Sequence, residues 1–473
     1  MSIAQPRGVL DPGLRGLTIG LILTVTLVAF EALAVATALP AAEDDLGDIY
    51  LYGWTFSAFL LASLVGIAFA GERSDTSGPA LPFVLGLVLF GLGLVLGGIA
   101  PTMFILVIAR AIQGLGAGAI PAVAYVSIGR AYPDSLRPRM LALFATAWVV
   151  PGLVGPGIAG VVAEYLSWRL VFLGIIPFVA GAAVLAFPAL RSVGPPATPD
   201  HRRSLVPMSF LLALGAGIAL TGPTLGSAPL AVPCIVVGLL MAAVPLKRLL
   251  PPGTLLARRG LPAAVAGTAI LNFAFFGADA FIPLMLTEVR GQTTVIAGIV
   301  ITITTLTWTA GSWVMERLGP RVGRARLIRI GMVLIILGAL MIIPVTGSAP
   351  LWLAAVAWAI AGAGIGLAYP GFSLAALSST TEGSEGAAAT SVKTAEFLAA
   401  AGGAGIGGAI VGSGDSGGWL PESLAINFAL MAAICIPGLY AAVRLVFPTD
   451  ASHPLPSSSG PAPNPSPAGT TGQ

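Results

Sequence analysis

Long apolar stretches alternate with short polar ones along nearly the whole chain, at a spacing that predicts membrane-crossing helices. A span needs about 20 apolar residues, because each helical residue advances ~1.5 Å and the hydrocarbon layer is ~30 Å thick. Segments of this kind are Leu17–Leu39, Gly53–Ala70, Leu81–Gly98, Met103–Ile128, Met140–Tyr165 and Leu170–Leu190. After a polar loop come Ser209–Leu225 and Leu230–Leu246. Leu261–Leu286, Thr293–Val314, Leu327–Pro344, Leu351–Leu377, Ser391–Val411 and Ser423–Val446 complete the set. The pattern predicts an all-α polytopic membrane protein with fourteen spans, arranged as six, two and six. The first span is too long for the apolar core of a signal peptide and a second follows soon after, so it reads as uncleaved. The chain then divides into a tail at 1–16, a six-helix bundle at 17–190, a loop at 191–206, two additional helices within 207–250 and a second bundle at 251–447. Residues 448–473, rich in Pro, Ser and Gly, read as a disordered tail.

Charge sorting supports that count. Arg73, Arg130, Arg137, Arg139, Arg191, Arg202, Arg203, Lys247, Arg248, Arg258, Arg259, Arg317, Arg321, Arg324 and Arg326 fall in loops on one side. The other side holds only Arg169 and Arg290, and its first loop is acidic (Glu43, Asp44, Asp45, Asp48). By the positive-inside rule both termini are cytoplasmic and the chain sits in an inner or plasma membrane. With 9% charged and 56% hydrophobic residues the composition excludes an ordinary soluble domain, which carries about 25% charged residues. Arginines sorted by loop do not form a nucleic-acid patch. Cys234 and Cys435 lie in apolar stretches and read as buried thiols, while His201 and His453 fall in loops, so neither a metal site nor a cofactor is expected. The scarcity of lysine, only Lys247 and Lys393, points to a GC-rich bacterial genome.

The two six-span groups are related. Ala109-Arg110-Ala111-Ile112-Gln113-Gly114-Leu115-Gly116-Ala117-Gly118 repeats its Ala, Ile and Gly placement at 357–366, an offset of 248 (357 − 109). The same offset carries Glu31 onto Asp279, Thr24 onto Asn272, and Gly155-Pro156-Gly157-Ile158-Ala159-Gly160 onto 403–408. Arg110 falls on Trp358.

The candidates for chemistry inside the spans are Glu31, Arg110, Asp279 and Glu396. Water exclusion disfavours a carboxylate's charge and makes it a proton carrier, whereas a nearby guanidinium opposes this. Thr24 and Asn272 each precede their acid by seven residues, about two helical turns, which puts each pair on one helix face. Sites in membrane proteins built from repeated halves lie near midplane between the repeats, so Thr24, Asn272, Gln113 and Trp358 are expected to line a central cavity. A purely structural salt bridge between Glu31 and Arg110 stays open. Glu396 sits three residues from Lys393, the spacing of a local pair. Gly114, Gly118, Gly155 and Gly160 are expected to let backbones approach closely. Trp54, Trp148 and Trp308 are further cavity candidates, and the Thr302–Thr309 run is expected to meet water or neighbouring helices in part.

Arg110, Gln113, Gly114, Gly116 and Gly118, with Gly155-Pro156-Gly157-Ile158-Ala159-Gly160 and the Ser167, Trp168, Arg169, Phe172 run, resemble motifs of the major facilitator superfamily. Within it the resemblance is to the fourteen-span drug:proton antiporters. It implies two six-helix bundles and two extra central helices. It also implies a gating loop after the second helix, of which Asp75 and Gly78 survive while Thr76, Pro79 and Ala80 replace basic residues. The corresponding second-half loop keeps Glu316, Arg317, Gly319 and Arg321. Gly155, Pro156 and Gly160 would serve the rocking of one half on the other. The resulting expectation is a non-enzymatic, proton-coupled exporter of amphipathic or cationic small molecules, with Glu31, Asp279 and Arg110 as coupling and substrate residues. Its partners would be cargo, protons and the lipid bilayer, with no nucleic acid, and it would act as a monomer. Export of an endogenous lipid or metabolite, with the middle helix pair as a lateral gate, and a non-transporting membrane sensor remain open alternatives.

Overall fold

The structure is a computed structural model that describes residues 8–133, 135–194, 204–225, 228–379 and 385–447. The expectations for 448–473, His201, Arg202 and Arg203 lie outside the described residues.

The first group of helices comprises α1 (Arg15–Leu46), α2 (Tyr52–Ser77), α3 (Ala80–Gly98), α4 (Met103–Ala131), α5 (Arg137–Thr146), α6 (Val149–Tyr165), α7 (Trp168–Leu173) and α8 (Ile176–Val193). Then come α9 (Val206–Thr221) and α10 (Ala228–Leu249). The second group comprises α11 (Leu261–Asp279), the short α12 (Ile282–Leu284), α13 (Thr294–Val322), α14 (Arg324–Met341), α15 (Trp352–Ser378), α16 (Glu385–Gly417) and α17 (Leu420–Val443). No strand occurs among the described residues. In hydrocarbon every backbone N–H and C=O must pair within its own segment, which helices do. Polar side chains mark the starts: Thr102 accepts from the Ile105 N–H at 3.3 Å, and Thr293 from that of Ile296 at 3.4 Å. Gly78 ends α2 at φ 85°, a left-handed turn that side chains resist.

Among the described residues thirteen helical runs are long and apolar enough to cross a membrane. The remaining expected span, residues 140–165, is not one continuous helix. It breaks between Thr146 and Val149, and α6 alone has 17 residues. Pro151 explains the break: its ring clashes with the carbonyl four residues back, at Ala147, but is tolerated in the first turn of α6. Trp148, a cavity candidate from the sequence, is 47% exposed at this break. The run Leu261–Leu286 is also interrupted, since α11 stops at Asp279 ahead of Pro283 and resumes through α12 and a π-turn at Met285–Val289.

The same packing recurs in both groups. α4 packs on α2 and α3 as α15 packs on α13 and α14, and α1 lies between α6 and α8 as α11 lies between α16 and α17. The halves meet along two seams, α6 with α13 and α2 with α16. Both are tight at the end that carries Glu43, Glu164, Glu288 and Asp415, the acidic end. There a Cβ on Gly53 would fall 2.8 Å from Gly408 Cα, and one on Gly160 would fall 2.8 Å from the Thr294 carbonyl. Tyr50 and Ser416 hydroxyls lie 2.6 Å apart, the Ser57 hydroxyl donates to the Ala401 carbonyl at 2.8 Å, and the Thr294 N–H donates to Glu164 at 2.8 Å.

α9 packs on α10 and leans on α2, where Leu220 meets Leu61, Leu64 and Ala401 of α16. The outer helix α10 has protein on one side only. Cys234, on α10, is consequently only half-buried, contrary to the reading of both cysteines as buried thiols; Cys435 is buried.

Candidate functional site

Two acid sites sit at register-equivalent places in the halves. In the first, α1 carries Glu31 in mid-helix and α4 carries Arg110. An Arg110 Nη donates to Glu31 in a buried ion pair, with side chains 3% and 0% exposed, and also to Gln113 Oε1 at 2.7 Å. Arg110 Nε donates to the Thr55 carbonyl at 3.2 Å, and the guanidinium lies 4.2 Å over the Phe59 ring. A charge taken from water needs both a counter-ion and hydrogen bonds, and this guanidinium has both. Glu31 Oε2 and Gln113 Nε2 are buried without a hydrogen-bond partner among the described residues.

In the second site, the Trp358 indole N–H on α15 donates to Asp279 Oδ1 at 2.7 Å. Trp358 stacks on Phe275 at 5.9 Å and 19°, and Phe275 meets Trp308 edge-on at 5.6 Å. Two features separate Asp279 from Glu31. Its hydrogen-bond donor is neutral, and it is the last residue of α11, where unpaired backbone carbonyls compensate a negative charge poorly. Asp279 is also partly exposed, whereas Glu31 is sealed.

The other predicted residues distribute as follows. Thr24 and Asn272 bond back to their own helices, to the Gly20 carbonyl at 2.7 Å and the Thr268 carbonyl at 2.8 Å. Thr24, Asn272, Gln113 and Trp358, expected to line a cavity, are packed with 0–1% exposure, because the first three lie under their own helix contacts and Trp358 lies beneath the aromatic cluster. Gly114 and Gly118 face α2, where Cβ atoms would fall 2.9 Å from Phe59 Cα and Ser63 Cα. Gly160 makes the close approach to α13, and Gly298 of α13 abuts the Pro156 carbonyl. Gly155 differs from expectation. A side chain there would meet Phe30 at an ordinary 3.6 Å, so close approach does not require glycine.

Asp75 pairs with Arg130 of α4 at 2.7 Å, within its own half, and Arg130 also donates to the Ser74 carbonyl at 3.0 Å. Glu316, Arg317 and Arg321 lie exposed on the last turns of α13, and no ion pair joins them to Asp75 among the described residues. Glu396 forms the i,i+3 pair with Lys393 at 2.9 Å and also accepts from the Tyr369 hydroxyl at 2.9 Å. Thr302, Thr304, Thr305, Thr307 and Thr309 all donate to carbonyls of their own helix. Trp54 packs against the Leu61, Leu64 and Leu220 cluster. The sequence reading missed Tyr52, Thr55, Phe59, Tyr369 and Asn427, the last donating to the Gly277 carbonyl at 3.0 Å. The offset that pairs Glu31 with Asp279 offered no signal for Thr55, which acts through its backbone.

Comparison with known proteins follows this geometry. The sequence profile of the Major Facilitator Superfamily matches residues 21–404. A Mycobacterium tuberculosis protein named "Probable multidrug-efflux transporter" is 28% identical over 444 residues, covering 89% of this chain and 93% of its own length. Multidrug resistance protein 3 of Bacillus subtilis is 33% identical over 169 residues, 36% of this chain and 33% of that one. Among solved structures, the POT family transporter PepTSo superposes with a TM-score of 0.67 at 13% identity, covering 91% of this chain and 96% of its own. A bacterial homologue of the human lysosomal transporter Spinster, solved inward-facing and unoccupied, gives 0.64 at 15% identity over 92% and 98%. With two helix groups packed alike, two seams and a profile match across most of its length, this chain belongs to the Major Facilitator Superfamily.

Proposed function

We propose that the chain is a proton-coupled exporter that moves amphipathic or cationic small molecules across the cell membrane, its arginine-rich end in the cytoplasm. The observation that carries this reading is Asp279: a partly exposed carboxylate at the broken end of α11, held among the described residues by one neutral indole donor and no base. Such a group binds either a proton or a cation, and competition between the two couples cargo to the proton gradient. Glu31, neutralised by Arg110, serves as the fixed brace tying α1 to α4. The seams closed at the acidic end fit a state open toward the cytoplasm, and the name of the mycobacterial relative agrees with efflux. Rocking about the α6–α13 and α2–α16 seams would exchange the open side.

Proteoliposomes carrying an imposed pH gradient and ethidium as probe test it. The gradient should drive ethidium in the wild type, Asp279→Asn should abolish that response, and Glu31→Gln should chiefly lower folded yield. Gradient-independent ethidium movement in the wild type would end the proposal.

A further inference from the structure

Lys393 and Glu396, one turn apart on α16, do more than pair with each other. The Tyr369 hydroxyl of α15 donates to Glu396 Oε2 at 2.9 Å. Lys393 Nζ donates to that same oxygen at 2.9 Å and to the Tyr369 hydroxyl at 3.2 Å. The other carboxylate oxygen, Oε1, takes no hydrogen bond among the described residues. From this triad a row of rings leads away. Tyr369 meets Trp308 of α13 at 6.2 Å, and Trp308 meets Phe276 and Phe275 of α11 at 6.2 and 5.6 Å. Phe275 stacks on Trp358, whose indole N–H holds Asp279. An unbroken line of contacts therefore joins Glu396 to Asp279. Tyr369 and Trp358 are eleven positions apart on α15 (369 − 358), about 16 Å along its axis.

The row draws side chains from four helices, α11, α13, α15 and α16, which places it inside the second half and off its lipid surface. A charged pair on the lipid face would also be costly. Yet Phe276, Trp308, Tyr369, Lys393, Glu396 and Asp279 are each partly exposed. An interior row of half-exposed rings with a carboxylate at either end is a surface suited to a ligand that is both planar and positively charged. The triad is also unevenly covered: the Lys393 side chain is 41% exposed and that of Glu396 only 17%. A strongly hydrated ammonium on a flexible four-carbon stem can turn out to water, while the carboxylate stays in place.

We propose that Glu396 is a second cargo-binding acid on the approach to Asp279, and that Lys393 is its built-in counter-ion, displaced by a planar aromatic cation. The proposal rests on the reading of cationic cargo given above. The cargo's positive charge takes the place of the ammonium at Glu396, and its rings stack on Tyr369 and Trp308, whose faces attract a cation. A neutral molecule can stack on the same rings but cannot replace the charge of Lys393, so it leaves the pair closed. The triad thus selects cargo by charge before Asp279 is reached.

The test measures binding to the full chain in detergent, without a gradient, using the fluorescence of ethidium as planar cation and N-phenylnaphthylamine as neutral aromatic. Glu396→Gln keeps an acceptor for Tyr369 and is expected to weaken ethidium binding by about fivefold or more, a shift in Kd of ~1 kcal/mol. Lys393→Met removes the competing ammonium and is expected to tighten ethidium binding by about threefold or more. Binding of N-phenylnaphthylamine should change by less than about twofold in both. Opposite signs for ethidium are the signature, because a loss of folded protein cannot produce them. Ethidium affinities that stay at the wild-type value in both variants, or that fall in both, would reduce the triad to a helix contact and overturn the proposal. A wild type that ignores a pH gradient would sink proton coupling alone, whereas one that binds no ethidium would sink both readings.

Discussion

Trp358 donates its indole N–H to Asp279 across the same 79-residue separation that joins Arg110 to Glu31. The offset seen in the sequence thus becomes a spatial equivalence, with one helix pair, α1 and α4, matched by another, α11 and α15. The chemistry at the two places differs. One acid faces a permanent positive charge, the other a neutral dipole, and only the second is partly exposed.

Putting a guanidinium into the second site should therefore silence it. Trp358→Arg would give Asp279 the counter-ion that Glu31 has, and charge-assisted hydrogen bonds are roughly twice as strong as neutral ones. Ethidium transport in proteoliposomes is expected to fall by about tenfold or more, and by much less in Trp358→Phe, which removes the donor without adding charge.

The first site should behave as a brace. Glu31→Gln or Arg110→Gln alone leaves an uncompensated buried charge and is expected to cost about 3–5 kcal/mol of stability. The double variant removes both charges and should lose far less than the sum of the two. A double-mutant cycle on thermal unfolding in detergent measures the coupling, and strict additivity would show that the pair does not brace α1 against α4.

The closed acidic end offers a cross-link. A Cβ on Gly412 would fall 3.0 Å from Tyr50 Cα, so cysteines at both positions are within bridging reach. In a background with Cys234→Ala and Cys435→Ala, oxidising Tyr50→Cys/Gly412→Cys should stop ethidium transport, and a reductant should restore it. Transport that continued through the cross-link would mean that this seam never parts.

The Asp75–Arg130 pair should matter little to stability. Its side chains are 50% and 23% exposed, and exposed pairs contribute about 0–1 kcal/mol. Asp75→Asn is expected to shift thermal unfolding by that amount at most. Because the partner lies within the same half, the variant should also leave the acidic-end seams closed, which the Tyr50→Cys/Gly412→Cys cross-linking rate would report.

Much of this was readable in the chain. Apolar length set the helices, since a segment of about 20 apolar residues has no stable place except across hydrocarbon. The offset between halves located Glu31 and Asp279 as a pair, and i,i+3 spacing located Lys393 with Glu396. Other features were out of reach for physical reasons. That Asp279 ends its helix while Glu31 does not follows from how α12 and the π-turn pack around Pro283, and apolar windows average such a break away. The meeting of Tyr50 with Ser416, 366 positions apart, and the packing of the Tyr52 ring against Phe281 exist only once the helices are docked. Composition and periodicity act over a few neighbouring residues and therefore decide which segments become helices and where the charges lie along them. Which charge ends up braced, and which is left with a lone neutral donor beside a seam, depends on the distances and directions that helix packing imposes.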